Sequence, residues 1–221
     1  MDRTPHIGVR EITPSDGDFL IDMVLESANW EGDAVSRRTV LTSPRLARYA
    51  GGWGRQGDLG LIAFDLDGPS GLQIPVGAAW IRYFPSSEPG YGFVEPGVPE
   101  LAMAIIPDRR RLGIGRALLG ALLVRAREDG ARRLSLSVGR GNPAQHLYEQ
   151  VGFVALPDAA TSSVTALTMV VRLDEAPGQV PAASDGSSPT TVPAASTTSA
   201  PTSPSGPPSA SASASASADS A

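Results

Sequence analysis

The chain has 221 residues, a formal net charge of −5, two histidines and no cysteine. The missing cysteines exclude thiol nucleophiles, disulfides and cysteine-ligated metal, and any metal site would have to be mostly carboxylate, so none is expected. All 18 basic residues are arginine, which excludes a Schiff-base lysine and the lysine of a P-loop.

From Asp174 onward the sequence has no aromatic residue, no Leu, Ile or Arg, and it ends in a Ser-Ala repeat. Such a segment cannot bury enough apolar surface to offset its ordering entropy, so residues 174–221 are expected to be a disordered tail. The tail carries four acidic residues and no base, leaving residues 1–173 near −1. That near-neutrality gives no support to nucleic-acid or anionic-membrane binding. Residues 1–173 suffice for one domain with one sizeable core. No apolar run reads as a signal peptide or a membrane span, so a cytoplasmic location is expected.

In chain order, "HIGVREI" (6–12) alternates apolar and polar residues as a strand does. "TPSDGDFLIDMVLESANW" then opens with helix-start residues and places Phe19, Leu20, Met23 and Val24 at helical spacing. A weaker helix, broken or restarted at Pro44, follows in "SRRTVLTSPRLARYA". "LGLIAFDLDG" and "IPVGAAWIRYF" read as antiparallel strands joined across a turn-rich linker, and "ELAMAIIP" as a strand ended by Pro107. A helix is expected from about Gly113 to Asp129, stopped by Gly130 as its C′ residue. The strand "RLSLSV", a short helix and two closing strands near "FVALP" and "VTALTMVV" complete the order. Two strands flanking a helix, Glu100–Pro107 and Arg133–Val138, should be parallel neighbours. The expected fold is α/β: a mixed, mostly antiparallel sheet with helices on both faces.

The junction "IIPDRRRLGIGRALL" (105–119) joins glycines and arginines to a helix start. A helix N-terminus exposes unpaired N–H groups and the positive end of the macrodipole, and glycine lets backbone approach an anion. Arg110, Arg111, Leu112, Gly113, Ile114 and Gly115 fall at that start, with Arg109 and Arg116 adding charge. A Rossmann fingerprint would need a third glycine where Leu118 stands. The stretch "GRGNPAQHLYEQVGF" carries a second signal. Asn142 before Pro143 reads as a helix cap, Gly152 as the left-handed C′ residue, and Phe153 as the apolar residue packing back on the helix. Tyr148 in this helix is either a core aromatic or a proton donor.

These motifs, in this order and spacing, resemble the GNAT superfamily of N-acetyltransferases over residues 6–173: "ELAMAIIP", Arg110–Gly115, and Asn142…Leu147-Tyr148-Glu149…Gly152-Phe153. The resemblance implies the acyl-CoA acyltransferase fold, with the two parallel strands splayed into a V-shaped cleft. It implies acetyl-CoA as co-substrate, its pantetheine arm along Met103, Ala104 and Ile105 and its pyrophosphate on the N–H groups of Arg111–Arg116. Asn142 would bond the cofactor or fix the helix start. Tyr148 would serve the departing thiolate, and Glu100 is either the general base or a solvated strand-end glutamate. The position at which some relatives that act on protein N-termini carry a second glutamate is Ser137 here.

The resemblance further implies an amine acceptor bound by the first two helices and their linker. Trp30, Glu31 and Asp33, with Trp53, would suit a small cationic amine, or would only pack over the sheet. The expected activity is transfer of acetyl to a primary amine, with a small-molecule acceptor ahead of a protein amine, in a monomer or homodimer. The alternative is an acyl-CoA-binding module without turnover. Deletion of residues 176–221 is expected to leave the thermal transition and any acetyl transfer unchanged; a large loss of either, in calorimetry or assay, would show that the tail docks on the domain.

Overall fold

The computed structural model describes residues 6–32, 34–156 and 159–174. The expected tail therefore lies, from residue 175 on, outside the described residues, and so does Asp33. The elements are β1 (Ile7–Glu11), α1 (Gly17–Ala28), α2 (Arg37–Thr42), α3 (Pro44–Ala47), β2 (Leu59–Asp65), β3 (Ile74–Arg82) and β4 (Glu100–Ile105). They continue with α4 (Ile114–Glu128), β5 (Arg133–Gly139), α5 (Ala144–Gln150), β6 (Val154–Ala155) and β7 (Ala166–Arg172). One seven-stranded sheet runs in the order β1-β2-β3-β4-β5-β7-β6. Each neighbouring pair is antiparallel except β4 and β5.

Strand β4 is buried on both faces because its alternation sorts side chains between two cores. Leu101 and Ile105 join Leu118, Leu119 and Leu122 of α4 with Leu134 and Leu136 of β5. On the opposite face Ala104 packs with Leu20, Met23 and Val24 of α1, and with Tyr49 and Trp80. The helix ends follow the expected glycine chemistry. Gly130 has φ 91° and Ala131 N–H reaches back to the Ala126 carbonyl at 2.9 Å. Gly152 has φ 99° and Phe153 N–H reaches the Tyr148 carbonyl at 3.0 Å. Both are Schellman closures, and the second brings the Phe153 ring edge-on to Tyr148 at 5.7 Å. Ser36 caps α2, and Pro44 starts a separate α3, so the expected break at proline is present.

The segment between α3 and β2 is tied to β3 by a buried ion pair. The Arg82 guanidinium donates to both carboxylate oxygens of Asp58 at 2.8 and 2.6 Å, with side chains only 1% and 2% exposed. Its remaining donor groups reach the Arg48 and Gly51 carbonyls, and Trp53 lies under it at 5.3 Å. Asp58 also accepts from the Gly54 and Arg55 main chain. Removing one member strands a buried charge, which typically costs about 3–5 kcal/mol. Asp58→Ala is therefore expected to lower the unfolding free energy, read from denaturant titration, by that much, whereas a loss below about 1 kcal/mol, the range of an exposed pair, would mean that water reaches Arg82.

Candidate active site

The parallel pair β4–β5 shares a single register position, Glu100 opposite Ser135, with Ser135 N–H donating to the Pro99 carbonyl at 3.0 Å. Past that point the strands part. Ile106 N–H donates to the Val76 carbonyl; by antiparallel alternation the even residues of β4 spend their main-chain groups on β3. Leu101, Met103 and Ile105 thus turn theirs toward the gap. Ala104 is the exception among the expected cofactor positions: its carbonyl lies beside Gly77 of β3, so it offers the gap no main-chain group. The gap opens into a cavity of about 320 Å³ lined by residues from α1, α3, β4, β5 and α5, among them Glu100, Ala102, Met103, Ser137 and Tyr148. Both expected catalytic residues therefore face one cleft.

Glu100 is not a solvated strand-end residue; it is 3% exposed. Its Oε1 accepts from the Tyr49 hydroxyl at 2.5 Å and from Gly92 N–H at 2.8 Å, and the Tyr49 oxygen accepts from Tyr91 N–H at 2.7 Å. Its Oε2 has no hydrogen-bond partner among the described residues. Burial pushes the carboxyl up to about 7, against the opposing pull of Tyr49, Gly92 and the more distant Arg45 cation. The connection 83–99 makes this burial possible. A Cβ at Gly92 would overlap the main chain of Leu136 and Ser137, and one at Gly90 would overlap Glu100 Oε2. Only backbone without a side chain can lie so close to β5 and to the carboxylate.

Tyr148 is 6% exposed, and burial alone raises its phenol to about 12. Its ring is held by Phe153, so the residue is both a core aromatic and a cleft residue. Asn142 fixes the start of α5: its Oδ1 accepts from Ala144 N–H at 2.8 Å.

At the α4 start, Arg111 has φ 62° and Gly113 φ 82°. This double excursion into left-handed space turns successive N–H groups to one side. Among the described residues, the N–H groups of residues 111–116 donate to no main-chain acceptor, the next such bond along the chain being Ala117 to Gly113 at 3.1 Å. A Cβ at Gly115 would meet Ile105, Leu147 and Met103 only at 3.7–3.8 Å, so protein packing does not demand glycine there. Three of the four arginines expected to add charge here have protein partners. Arg109 pairs with Asp65 at 2.9 Å, and Arg110 donates to the Ile105 carbonyl at 2.8 Å and pairs with Glu26 at 3.0 Å. Arg116 bonds Gln150. An anion would be met chiefly by main-chain donors, with Arg111 beside them. Leu112 is exposed next to them, and Ile114, the first residue of α4, is buried in the core.

The expected acceptor residues are not the ones that line the cleft. Trp53 sits beneath Arg82, with its indole N–H toward the Ile12 carbonyl at 3.4 Å. Trp30 packs on Gly139 at the end of β5, and Glu31 is exposed. The cleft wall is instead Val24, Ser27 and Ala28 of α1, Val35, Leu46 of α3, and Tyr49, Trp80 and Tyr91. Tyr49 and Tyr91, stacked at 6.1 Å, had no local motif to mark them.

The sequence profile described as the acetyltransferase (GNAT) family matches residues 37–153. Over 51 residues the chain is 41% identical to the [ribosomal protein bS18]-alanine N-acetyltransferase of Haemophilus influenzae, covering 23% of this chain and 35% of that protein. Over 80 residues it is 35% identical to the mycothiol acetyltransferase of Cellulomonas flavigena, covering 35% of this chain and 23% of that protein. The chain thus matches about a third or less of each curated relative's length. Among solved structures, a GNAT-family acetyltransferase from Staphylococcus aureus Mu50 superposes with a TM-score of 0.55 at 19% identity, over 76% of this chain and 99% of that one. The Salmonella typhimurium acetyltransferase yncA, solved with acetyl-CoA, gives 0.52 at 22% identity, over 80% and 99%. With the profile spanning more than half of the chain, on a sheet that splays where this fold splays, the protein belongs to the GNAT family of acetyltransferases.

Proposed function

We propose that the protein transfers the acetyl group of acetyl-CoA to the primary amine of a small molecule by direct attack within a ternary complex. The observation that carries this reading is the convergence of Glu100 and Tyr148, on different elements, in one cleft whose Met103 side chain also approaches Gly115, within the run of N–H groups that have no main-chain partner among the described residues. Those six N–H groups, two positive-φ residues and the bare Gly115 fit a pyrophosphate, and the open edge at Met103 fits an amide-bearing arm. Acetyl-CoA supplies the activated acyl carbon and a thiolate leaving group. The carbon–nitrogen bond forms as the carbon–sulfur bond breaks, and the amine surrenders a proton.

Glu100 takes that proton. A carboxyl near 7 is half ionised at neutral pH and close to the optimum for a general base. The Tyr49 hydroxyl, bonded to Oε1, orients it. Tyr148 stays protonated at neutral pH and, lining the same cleft, would serve the departing sulfur. Burial pushes the phenol up to about 12 and raises a departing thiol in the same direction. Its role is then to stabilise the developing thiolate by a donated hydrogen bond, or to protonate it.

Gly115→Val is expected to abolish CoA binding in calorimetry while the thermal transition persists, since the Cβ finds ordinary space within the protein; undiminished affinity would refute the cradle. Tyr148→Phe should lower kcat about 100-fold or more with acetyl-CoA affinity nearly intact, and an unchanged kcat under chemistry-limited conditions would return Tyr148 to packing alone. The base must be ionised, so kcat/KM should rise with pH through about 7 in the parent protein. Glu100→Gln should remove that limb; a limb that survives would assign deprotonation to water.

A further inference from the structure

The cleft also constrains which amine can enter it. Beyond the β4–β5 gap its wall is Val24, Ala28, Val35, Leu46, Tyr49 and Tyr91, with Ser27 as the polar exception. Among the described residues Glu100 is the one charged side chain that lines it, and its Oε1 already serves Tyr49 and Gly92. At the rim the Arg45 guanidinium lies 4.4 Å from the centre of the Tyr91 ring, close enough to act on Glu100. An acceptor ammonium entering this space meets apolar walls and one carboxylate. A second ammonium would meet Arg45 at the rim or an apolar wall inside, with no carboxylate among the described lining residues to receive it. Desolvation costs an unpaired charge heavily.

Resting on the acetyl-transfer reading, we propose that the acceptor is a small monoamine with an apolar body, and that the cleft selects against diamines, polyamines and cationic peptides. Size agrees. A cavity of about 320 Å³ holds on the order of ten water-sized groups at ≈30 Å³ each, and the acyl arm must share it. The same walls assist the chemistry: burial between Leu46 and the stacked tyrosines lowers an ammonium's proton affinity, bringing a neutral amine nearer to a base at about 7.

The test uses the full chain with acetyl-CoA and a matched set: hexylamine, phenethylamine, 1,6-diaminohexane, spermidine and an Ala-initiated arginine-rich peptide. Thiol release and product mass are read at a pH above the Glu100 limb. The monoamines should exceed the diamine in kcat/KM by about tenfold or more. Arg45→Glu, at an exposed position, should narrow that gap about fivefold through a lower KM for 1,6-diaminohexane, the size expected of one surface charge contact. Equal or better turnover of the diamine, spermidine or the peptide by the parent protein would overturn the acceptor assignment and leave acetyl transfer standing. So would an unchanged ratio in Arg45→Glu. A second arm reads binding alone, by saturation-transfer NMR of the CoA-loaded protein with hexylamine against 1,6-diaminohexane. Hexylamine bound in preference but never acetylated would sustain the acceptor assignment and overturn turnover; no preference in binding would overturn the assignment itself.

Discussion

Strands β4 and β5 share one register pair and then separate, and the site depends on that parting. A parallel pair needs a crossover, and α4 supplies it between the two strands. The price of the gap is that the β4 main-chain groups beyond Leu101, at Met103 and Ile105, have no strand beside them. Arg110 answers one of these by donating to the Ile105 carbonyl, and its other end is held by Glu26 of α1. The cavity that results is reached from both faces of the sheet, which is how Tyr148, in the α4-side core, and Glu100, in register with Arg82 and bonded to Tyr49, come to line one space.

The second constraint is electrostatic. A carboxyl 3% exposed would not remain near 7 without compensation; Tyr49 and Gly92 hold its ionised form within reach of neutral pH while burial pushes the other way. That balance depends on the 83–99 connection lying flat on β5, and on Arg48 donating to the Pro89 carbonyl at 2.8 Å. The Asp58–Arg82 pair anchors the same neighbourhood, because Arg82 also bonds the Arg48 and Gly51 carbonyls that flank Tyr49. The position of Tyr49, and with it the ionisation of Glu100, therefore rests on a buried ion pair outside the cleft.

At the cradle the arginines divide the labour. Arg109 and Arg110 hold the loop between β4 and α4 and Arg116 joins α4 to α5, while the N–H groups of residues 111–116 have no main-chain partner among the described residues. Charge along the loop is thus partly structural, and a sequence shows only that the arginines are there.

Local chemistry made much of this legible from the sequence. Helical spacing in Leu118–Ala126, the cap at Asn142, the glycine closures at Gly130 and Gly152, and the glycine-bearing start of α4 are all determined within a few residues of chain, where backbone sterics and hydrogen bonding act. The parallel pair was legible too, since a strand–helix–strand run admits few connections. The lining of the cleft was not. Trp30 and Trp53 were the conspicuous aromatics, yet one packs on Gly139 and the other beneath Arg82. Tyr49 and Tyr91, which do line the cleft, stand 42 residues apart in segments without a motif. Their meeting over Glu100 is a long-range event, decided by which backbone can pass at Gly90 and Gly92 and by where the Asp58–Arg82 pair pins the chain. Periodicity and capping report forces along the chain; the environment that moves a carboxyl from its ordinary range to about 7 comes from groups that only folding brings together.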